Sequence, residues 1–267
     1  MKLRGRVAVI VGASGDIGSA TVQAFAAAGA HVVLAAPASE IHRLDQLAAQ
    51  AERLGVRALV VPTDITVRSE IDRLIATALD AFEAIDVLAN VAGVGSSPAL
   101  CDETDQALQQ VVEVNLLGSA RTIHAVLPVM KLQRRGAIVN VGSIAGEAGV
   151  MGIYSASKFG LRGLSDTVRR EVRGYGISVT LIEPGFVRSK MNVAMGDGLP
   201  GPEVVARAIV AAAQRPRRRT IVPSYYTLPI YLAKLFPGLT DRVFGNARIQ
   251  QRLNRDARAA ARERVAP

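Results

Sequence analysis

Three side chains in the middle of the chain have types and spacing that suit proton transfer: Ser143, Tyr154 and Lys158. Tyr154 and Lys158 stand at i and i+4 of Tyr-Ser-Ala-Ser-Lys, so a helix would project both into the same small volume. A free phenol ionises at about pH 10 and is a poor base at neutrality. A nearby ammonium favours the phenolate and is expected to lower that pKa by about a unit or more in a dry cleft. Tyr154 would then take a proton from an alcohol or give one to a carbonyl, while Ser143 hydrogen-bonds the reacting oxygen. A lone Tyr-x-x-x-Lys is ordinary helix surface. Its meaning depends on what stands around it.

At the amino end stands a glycine turn, Gly12-Ala13-Ser14-Gly15-Asp16-Ile17-Gly18, between a short apolar run and a helical stretch over Ser19–Ala28. One glycine permits the tight turn, another a close backbone approach to pyrophosphate, and the third close helix–strand packing, with unpaired helix N–H groups facing the phosphate. Asp16 is the awkward member, because a carboxylate repels pyrophosphate; it is expected to face solvent and cap the helix. NAD-binding turns place an acid after the second strand to hold the ribose 2′-hydroxyl. Here His31–Ala35 runs into Ala36-Pro37-Ala38-Ser39 with no acid until Glu40. Nothing there repels a 2′-phosphate, and Ser14, Ser39 or Arg43 could bond one. NADP is therefore the expected cofactor in preference to NAD.

Short apolar runs alternate with helix-length segments and must position these residues. The runs are Val7–Val11, His31–Ala35, Ala58–Val61, Val87–Ala89, Ala137–Val141 and Ser178–Ile182, rich in Val, Ile and Leu without polar alternation. Such runs read as strands buried on both faces. Between them Ala38–Leu54 and Glu70–Phe82 carry apolar residues at helical spacing, and Thr220–Val222 reads as a last strand. The expected fold is α/β, a doubly wound, Rossmann-like parallel sheet in one domain over residues 1–223, with an apolar and basic helical extension over 224–267. Ligands bind beyond the carboxyl ends of such strands, where the glycine turn and Ser143 both fall.

Bulk properties narrow the choice of function. The 267 residues are 49% hydrophobic and 21% charged, an ordinary globular composition. The single cysteine, Cys101, cannot form an internal bridge, and His31, His42 and His124 show no metal spacing, so no metal is expected. The run Val7–Val11 is too short for a secretory apolar segment, and the cytoplasm is the expected location. Residues 215–267 hold 12 of the 32 basic and 3 of the 23 acidic residues, so the whole net charge of +9 belongs to the tail. With a neutral body, 4% aromatic content and no Trp, no nucleic-acid partner is expected.

Taken with these motifs, the chain resembles the short-chain dehydrogenase/reductase family over about residues 5 to 214. Asp64 in Pro62-Thr63-Asp64-Ile65 is similar to the family aspartate that bonds the adenine ring. Asn90-Val91-Ala92-Gly93 resembles the family's Asn-Asn-Ala-Gly motif, which lines the cofactor site. Asn115 in Val114-Asn115-Leu116 matches a helix asparagine associated with a water in the proton relay. Pro184-Gly185-Phe186-Val187 matches the loop beside the nicotinamide, and Ser189 stands where a threonine often contacts its amide. The resemblance implies hydride transfer between a nicotinamide and a carbonyl or secondary alcohol, Lys158 on the ribose hydroxyls, and a homodimer or homotetramer. Three departures stand out besides Ser189: Val11 and Asp16 replace a threonine and a glycine of the common turn, and Val91 replaces the second asparagine.

On the substrate side, Ser189–Gly201 contains Met191, Val193, Met195, Gly196, Gly198 and Pro200, the composition of a mobile lid or a subunit contact. With Gly149-Val150-Met151-Gly152 it predicts a largely apolar pocket for a small-molecule substrate. Residues 224–244 are apolar and aromatic but interrupted by Pro229, Lys234, Pro237 and Gly238, which excludes a spanning helix. A basic helix with Ile249, Leu253, Ala257 and Ala260 on one side is expected to follow. This extension would pack over the cleft or a neighbouring subunit, or lie on an anionic membrane. A cofactor-sensing protein without catalysis is the alternative reading of the whole chain, since fold does not fix function.

Overall fold

The computed structural model describes residues 1–97, 99–189 and 198–246. Seven strands form one parallel sheet: β1 (Val7–Val11), β2 (His31–Ala35), β3 (Ala58–Val60), β4 (Val87–Asn90), β5 (Gly136–Val141), β6 (Ile177–Pro184) and β7 (Arg219–Val222). Their order is β3-β2-β1-β4-β5-β6-β7. The direction of winding reverses beside β1, and a crevice opens at the carboxyl ends of β1 and β4. Register aligns those ends. Val11 pairs with Asn90, Asn90 with Asn140, and Val141 with Ile182. The turns after β1, β4, β5 and β6 therefore share one edge.

Alternate residues of the strands feed two cores. Ala8, Ile10 and Leu34 pack with Val22 and Phe25 of α1 (Asp16–Ala27), Leu44 and Leu47 of α2 (Ile41–Arg53), and Val205 and Ile209 of α8 (Glu203–Gln214). On the other side Val7, Val9 and Leu88 meet Ile71 and Leu74 of α3 (Arg68–Phe82) and Ile123 and Val126 of α5 (Ser119–Gln133). Val168 of α7 (Gly152–Glu171) joins this second core. Two buried faces explain why the strand runs carry no polar alternation. Each fully buried Val, Leu or Ile contributes about 1.5–3 kcal/mol of transfer free energy. A truncation such as Ile10→Ala would cost about 2–5 kcal/mol.

The remaining helices are α4 (Asp105–Val112), α6 (Ala145–Ala148), α9 (Thr227–Leu235) and α10 (Pro237–Phe244), with a π-helical stretch over Glu113–Gly118. Boundaries differ from expectation where local chemistry intervenes. The first helix starts at Asp16, three residues early, because extended Gly15 (φ −67°, ψ 167°) is its N-cap. Asp16 is therefore the first helical residue and not the cap. The segment expected over Ala38–Leu54 divides into a 3-10 turn, Ala38–Glu40, and α2.

Candidate active site

A cleft of about 2110 Å³ runs along the carboxyl edge of the sheet, from the Gly12 turn past Gly93 and Ser143 to Gly185 and the extension. Single-ligand pockets are about 300–1,000 Å³, so this one has room for a dinucleotide and a substrate together. Steric limits define its first end. Gly12 adopts φ +84°, and a Cβ on it would lie 2.5 Å from Ala92 N. A Cβ on Gly18 would run into the carbonyl of Gly12. Both positions exclude any side chain, and the amino end of α1 has no side-chain cap. Its first-turn N–H groups are thus presented to the cleft, which also meets Ser14, Gly15 and Ile17. Such a bare amide cradle fits a pyrophosphate.

Asp16 departs from expectation. Its carboxylate does not face open solvent; it lines the cleft 3.7 Å from the Arg43 guanidinium, with 26% of the side chain exposed. The nearby cation draws it across and offsets its charge. Ser39 and Arg43 lie along the same wall. Asp64 and Ile65 line the cleft beyond β3, with Asp64 Oδ1 accepting from Thr66 N and Oγ1, both at 2.8 Å.

The residues expected to transfer the proton converge at the centre. Ser143 directly follows the β5 turn, and its Oγ accepts from Ala145 N at 3.1 Å. Gly146 of α6 lies against α7 so closely that a Cβ would come within 2.9 Å of the Lys158 carbonyl carbon. That approach places Ser143 beside α7, near enough to the Tyr154 phenol for its hydroxyl to favour the phenolate. At the amino end of α7, Ser155 Oγ accepts from Met151 N at 2.9 Å and fixes the first turn. Lys158 is 4% exposed, and Nζ donates to Val141 O at 3.0 Å. Gly93 makes room for it: a Cβ there would sit 3.2 Å from Nζ.

Electrostatics correct one expectation. The Tyr154 phenol is pushed up from its ordinary value, because burial penalises the phenolate more than the Ser143 hydrogen bond favours it. Lys158 Nζ lies 5.8 Å from the ring centroid and is turned to Val141 O. Burial lowers the Lys158 ammonium itself, to about 8. Desolvation outweighs attraction here.

Two expected site residues lie outside the cleft lining. Asn90, expected among the cofactor contacts, is buried in a polar ladder that fastens four elements. Thr122 Oγ1 donates to Asn90 Oδ1 (2.8 Å), Asn90 Nδ2 to Asn140 Oδ1 (2.9 Å), and Asn140 Nδ2 to Ser165 Oγ (2.9 Å). Both the oxygen and the nitrogen of the Asn90 amide are thus engaged in the ladder. Asn115 is also fully buried. Its Oδ1 accepts from Val94 N (2.8 Å), while Nδ2 donates to Val94 O (3.0 Å) and Ser157 Oγ (3.1 Å). It ties the Gly93–Val94 loop to α7 from a π-helical turn, a distortion common beside functional sites. By contrast Ala92, Gly93, Pro184, Gly185, Val187 and Ser189 do line the cleft. The missing asparagine at Val91 is offset by backbone: Val91 N and Ala92 N both donate to Val11 O at 2.9 Å.

The substrate end was only partly legible. Val150, Met151, Phe186, Ile230, Ala233 and Phe244 give it an apolar lining. Met191, Val193, Met195 and Gly196, expected in a lid or subunit contact, lie outside the described residues, as does the helix expected around Ile249, Leu253, Ala257 and Ala260. Arg188 N donates to Pro200 O at 2.8 Å. Sequence reasoning missed Tyr226, whose ring covers Gly185 so tightly that no Cβ fits there. It also missed Glu147, whose fully buried carboxylate meets Arg162 (2.8 Å), Arg219 (3.1 Å) and Lys234. Lys234 comes from α9, so this cluster fastens the extension to α6 and α7. A lone acid between Gly146 and Gly149 was the available signal. Glu183, also buried, lies 3.6 Å from Arg219, yet burial raises it to about 7. No cluster of possible metal ligands occurs among the described residues.

A parallel sheet wound in this order, with a glycine cradle at one end of its crevice and a Ser–Tyr–Lys group at its centre, defines a Rossmann-like enzyme class. The sequence profile of the short-chain dehydrogenases matches residues 6–199, and the chain belongs to that family. It is 37% identical over 192 residues to a 3-oxoacyl-[acyl-carrier-protein] reductase of Synechocystis, covering 71% of this chain and 77% of the relative. An uncharacterized oxidoreductase of Staphylococcus haemolyticus is 33% identical over 220 residues, covering 80% and 94%. The crystal structure of a short-chain dehydrogenase/reductase from Burkholderia phymatum in complex with NAD superposes with a TM-score of 0.81 at 25% identity, covering 90% of this chain and 96% of that one.

Proposed function

We propose that the chain transfers a hydride between NAD(P) and a carbonyl or secondary alcohol carbon, with Tyr154 as general acid and base. The observation that carries this reading is the meeting of Ser143, Tyr154 and Lys158 in the cleft that also holds the glycine cradle. The NAD bound by the Burkholderia phymatum relative supports a nicotinamide here. Gly12, Ser14, Gly15, Ile17 and Gly18 would hold its pyrophosphate, Asp64 and Ile65 its adenine end, and Ala92 and Gly93 its middle. Lys158 would bond the nicotinamide ribose, and Pro184, Gly185, Val187 and Ser189 would flank the nicotinamide. The bound cofactor supplies or accepts the hydride.

The protein's own groups manage the proton. A carbonyl oxygen set against Ser143 and Tyr154 accepts a hydrogen bond from the Ser143 hydroxyl and the proton of the Tyr154 phenol. Because burial raises the phenol, Tyr154 carries that proton at neutral pH, which suits reduction. The Lys158 ammonium stabilises the phenolate left behind, and its position opens a return path for the proton. Asn115 holds Gly93–Val94 and α7 at the right separation.

For the cofactor, NADP is proposed ahead of NAD, since Arg43 and Ser39 line the wall beyond β2 and could meet a 2′-phosphate. The substrate would be largely apolar, and a cytoplasmic homodimer or homotetramer is the proposed working form. A panel of ketones and alcohols, followed by NADPH or NADH absorbance, tests the reading. Turnover of apolar members is expected, with the higher kcat/KM for NADPH. No turnover with any member would overturn the activity, and a strong NADH preference the cofactor choice.

A further inference from the structure

The described residues expose sixteen large hydrophobic side chains, and eight of them fall between Tyr225 and Val243. They are concentrated on α9, α10 and the turns that flank them. Leu228, Leu235 and Leu239 are 67%, 70% and 61% exposed, and Phe236 is 57% exposed. This is not the disorder of a loosely held end. Ile230 of α9 is 6% exposed against the body, and Lys234 of the same helix is anchored on the buried Glu147 carboxylate. The helix is therefore fixed with its apolar side outward. Monomeric proteins rarely hold a contiguous apolar surface toward water without a partner for it.

Charge decides among the partners. The sequence that follows Asn246 contains six arginines and two acids, and all of the chain's net charge of +9 lies after residue 214. A second copy of the chain carries the same net charge of +9, which opposes association. An anionic lipid surface answers both features, with leucines at the acyl boundary and arginines among the headgroups. Tyr225 and Tyr231, 59% and 48% exposed, are the amphipathic rings that favour such an interface. No described helix is long and apolar enough to cross a membrane, so the contact would be peripheral.

We propose that the outer face of residues 225–243 docks on an anionic membrane surface. The opposite faces of the same two helices line the cleft through Ile230, Ala233 and Phe244. One layer of helix thus separates the lipid from the substrate end. An apolar substrate dissolved in the bilayer would have a short path to the cleft. The docking rests on exposure and charge alone, so it stands or falls separately from the hydride-transfer reading.

The test is flotation of the full chain with phosphatidylcholine vesicles, with and without phosphatidylglycerol, beside an L228S/L235S/L239S variant. None of the three leucines lines the cleft. Far-ultraviolet circular dichroism and Tm establish that the variant folds, whether or not a substrate is known. The full chain is expected to float with the anionic vesicles only, and the variant's binding to fall at least about tenfold. Absence of flotation with phosphatidylglycerol vesicles, or equal flotation of the variant, would overturn the proposal. So would a variant that merely converts an oligomer to monomers by light scattering, which would assign the face to a second copy.

Discussion

At the Gly12–Gly18 end of the cleft the chain is held by lack of space, because backbone atoms stand where side chains would be. At the opposite end, residues 224–244 are held by side chains: Lys234 on Glu147, and Tyr226 on Gly185. The difference has a physical consequence. A steric cradle tolerates almost no substitution and does not depend on pH, whereas an ionic anchor can be weakened by degrees and responds to titration.

The largest effect that would sharpen this contrast is at the cradle. Gly18→Ala must push the Gly12 carbonyl aside, and cofactor affinity should fall by about 10- to 100-fold in a titration of intrinsic fluorescence or heat. Wild-type affinity in this variant would mean that the turn is not the phosphate site. At the other end, Glu147→Gln leaves three cations around a neutral amide. Because those cations are 18–30% exposed, the low end of the cost of breaking a buried pair applies, about 3 kcal/mol. Tm should drop by about 6–12 °C, read by calorimetry. An unchanged Tm would show that the cluster does not anchor the extension.

A smaller effect separates the two ends by pH. Burial raises Glu183 from its ordinary value of 4.5 to about 7 in the folded protein. Its favourable share of stability is complete below pH 4.5 and is lost as pH rises to about 7, since the folded state binds the extra proton over that interval. Glu183→Gln should remove this slope from Tm measured across the same interval. Burial depresses Lys158 to about 8, so its share has the opposite sign and grows from there toward pH 10.5. Coincident Tm–pH curves for the Glu183 variant and the wild type would contradict the assignment.

The same contrast explains what could be read in the sequence. The strands were legible because burial on both faces removes polar alternation, and β1 and β2 fall on the expected residues. The turn was legible because only glycine meets its backbone demand. Ser143, Tyr154 and Lys158 were legible because strand end and helix spacing fix their meeting. Asn90 was misplaced because a motif records that a residue matters without recording which way it points, and this one points into a buried ladder. Asp16 was misjudged because its partner, Arg43, is 27 residues away along the chain. Glu147 and Tyr226 were missed for the same reason. Their partners are brought together by the tertiary fold, and no local spacing announces them.

The central claim is that Tyr154 moves the proton, and Tyr154→Phe tests it most directly. The phenyl ring keeps the packing and loses only the hydroxyl beside Ser143. On a substrate found by the ketone and alcohol panel, kcat should fall by about 1,000-fold, within the usual range for loss of a general acid. Cofactor affinity measured by direct titration should stay nearly unchanged. Turnover within a few fold of wild type would contradict the assignment, whatever the fold and the family.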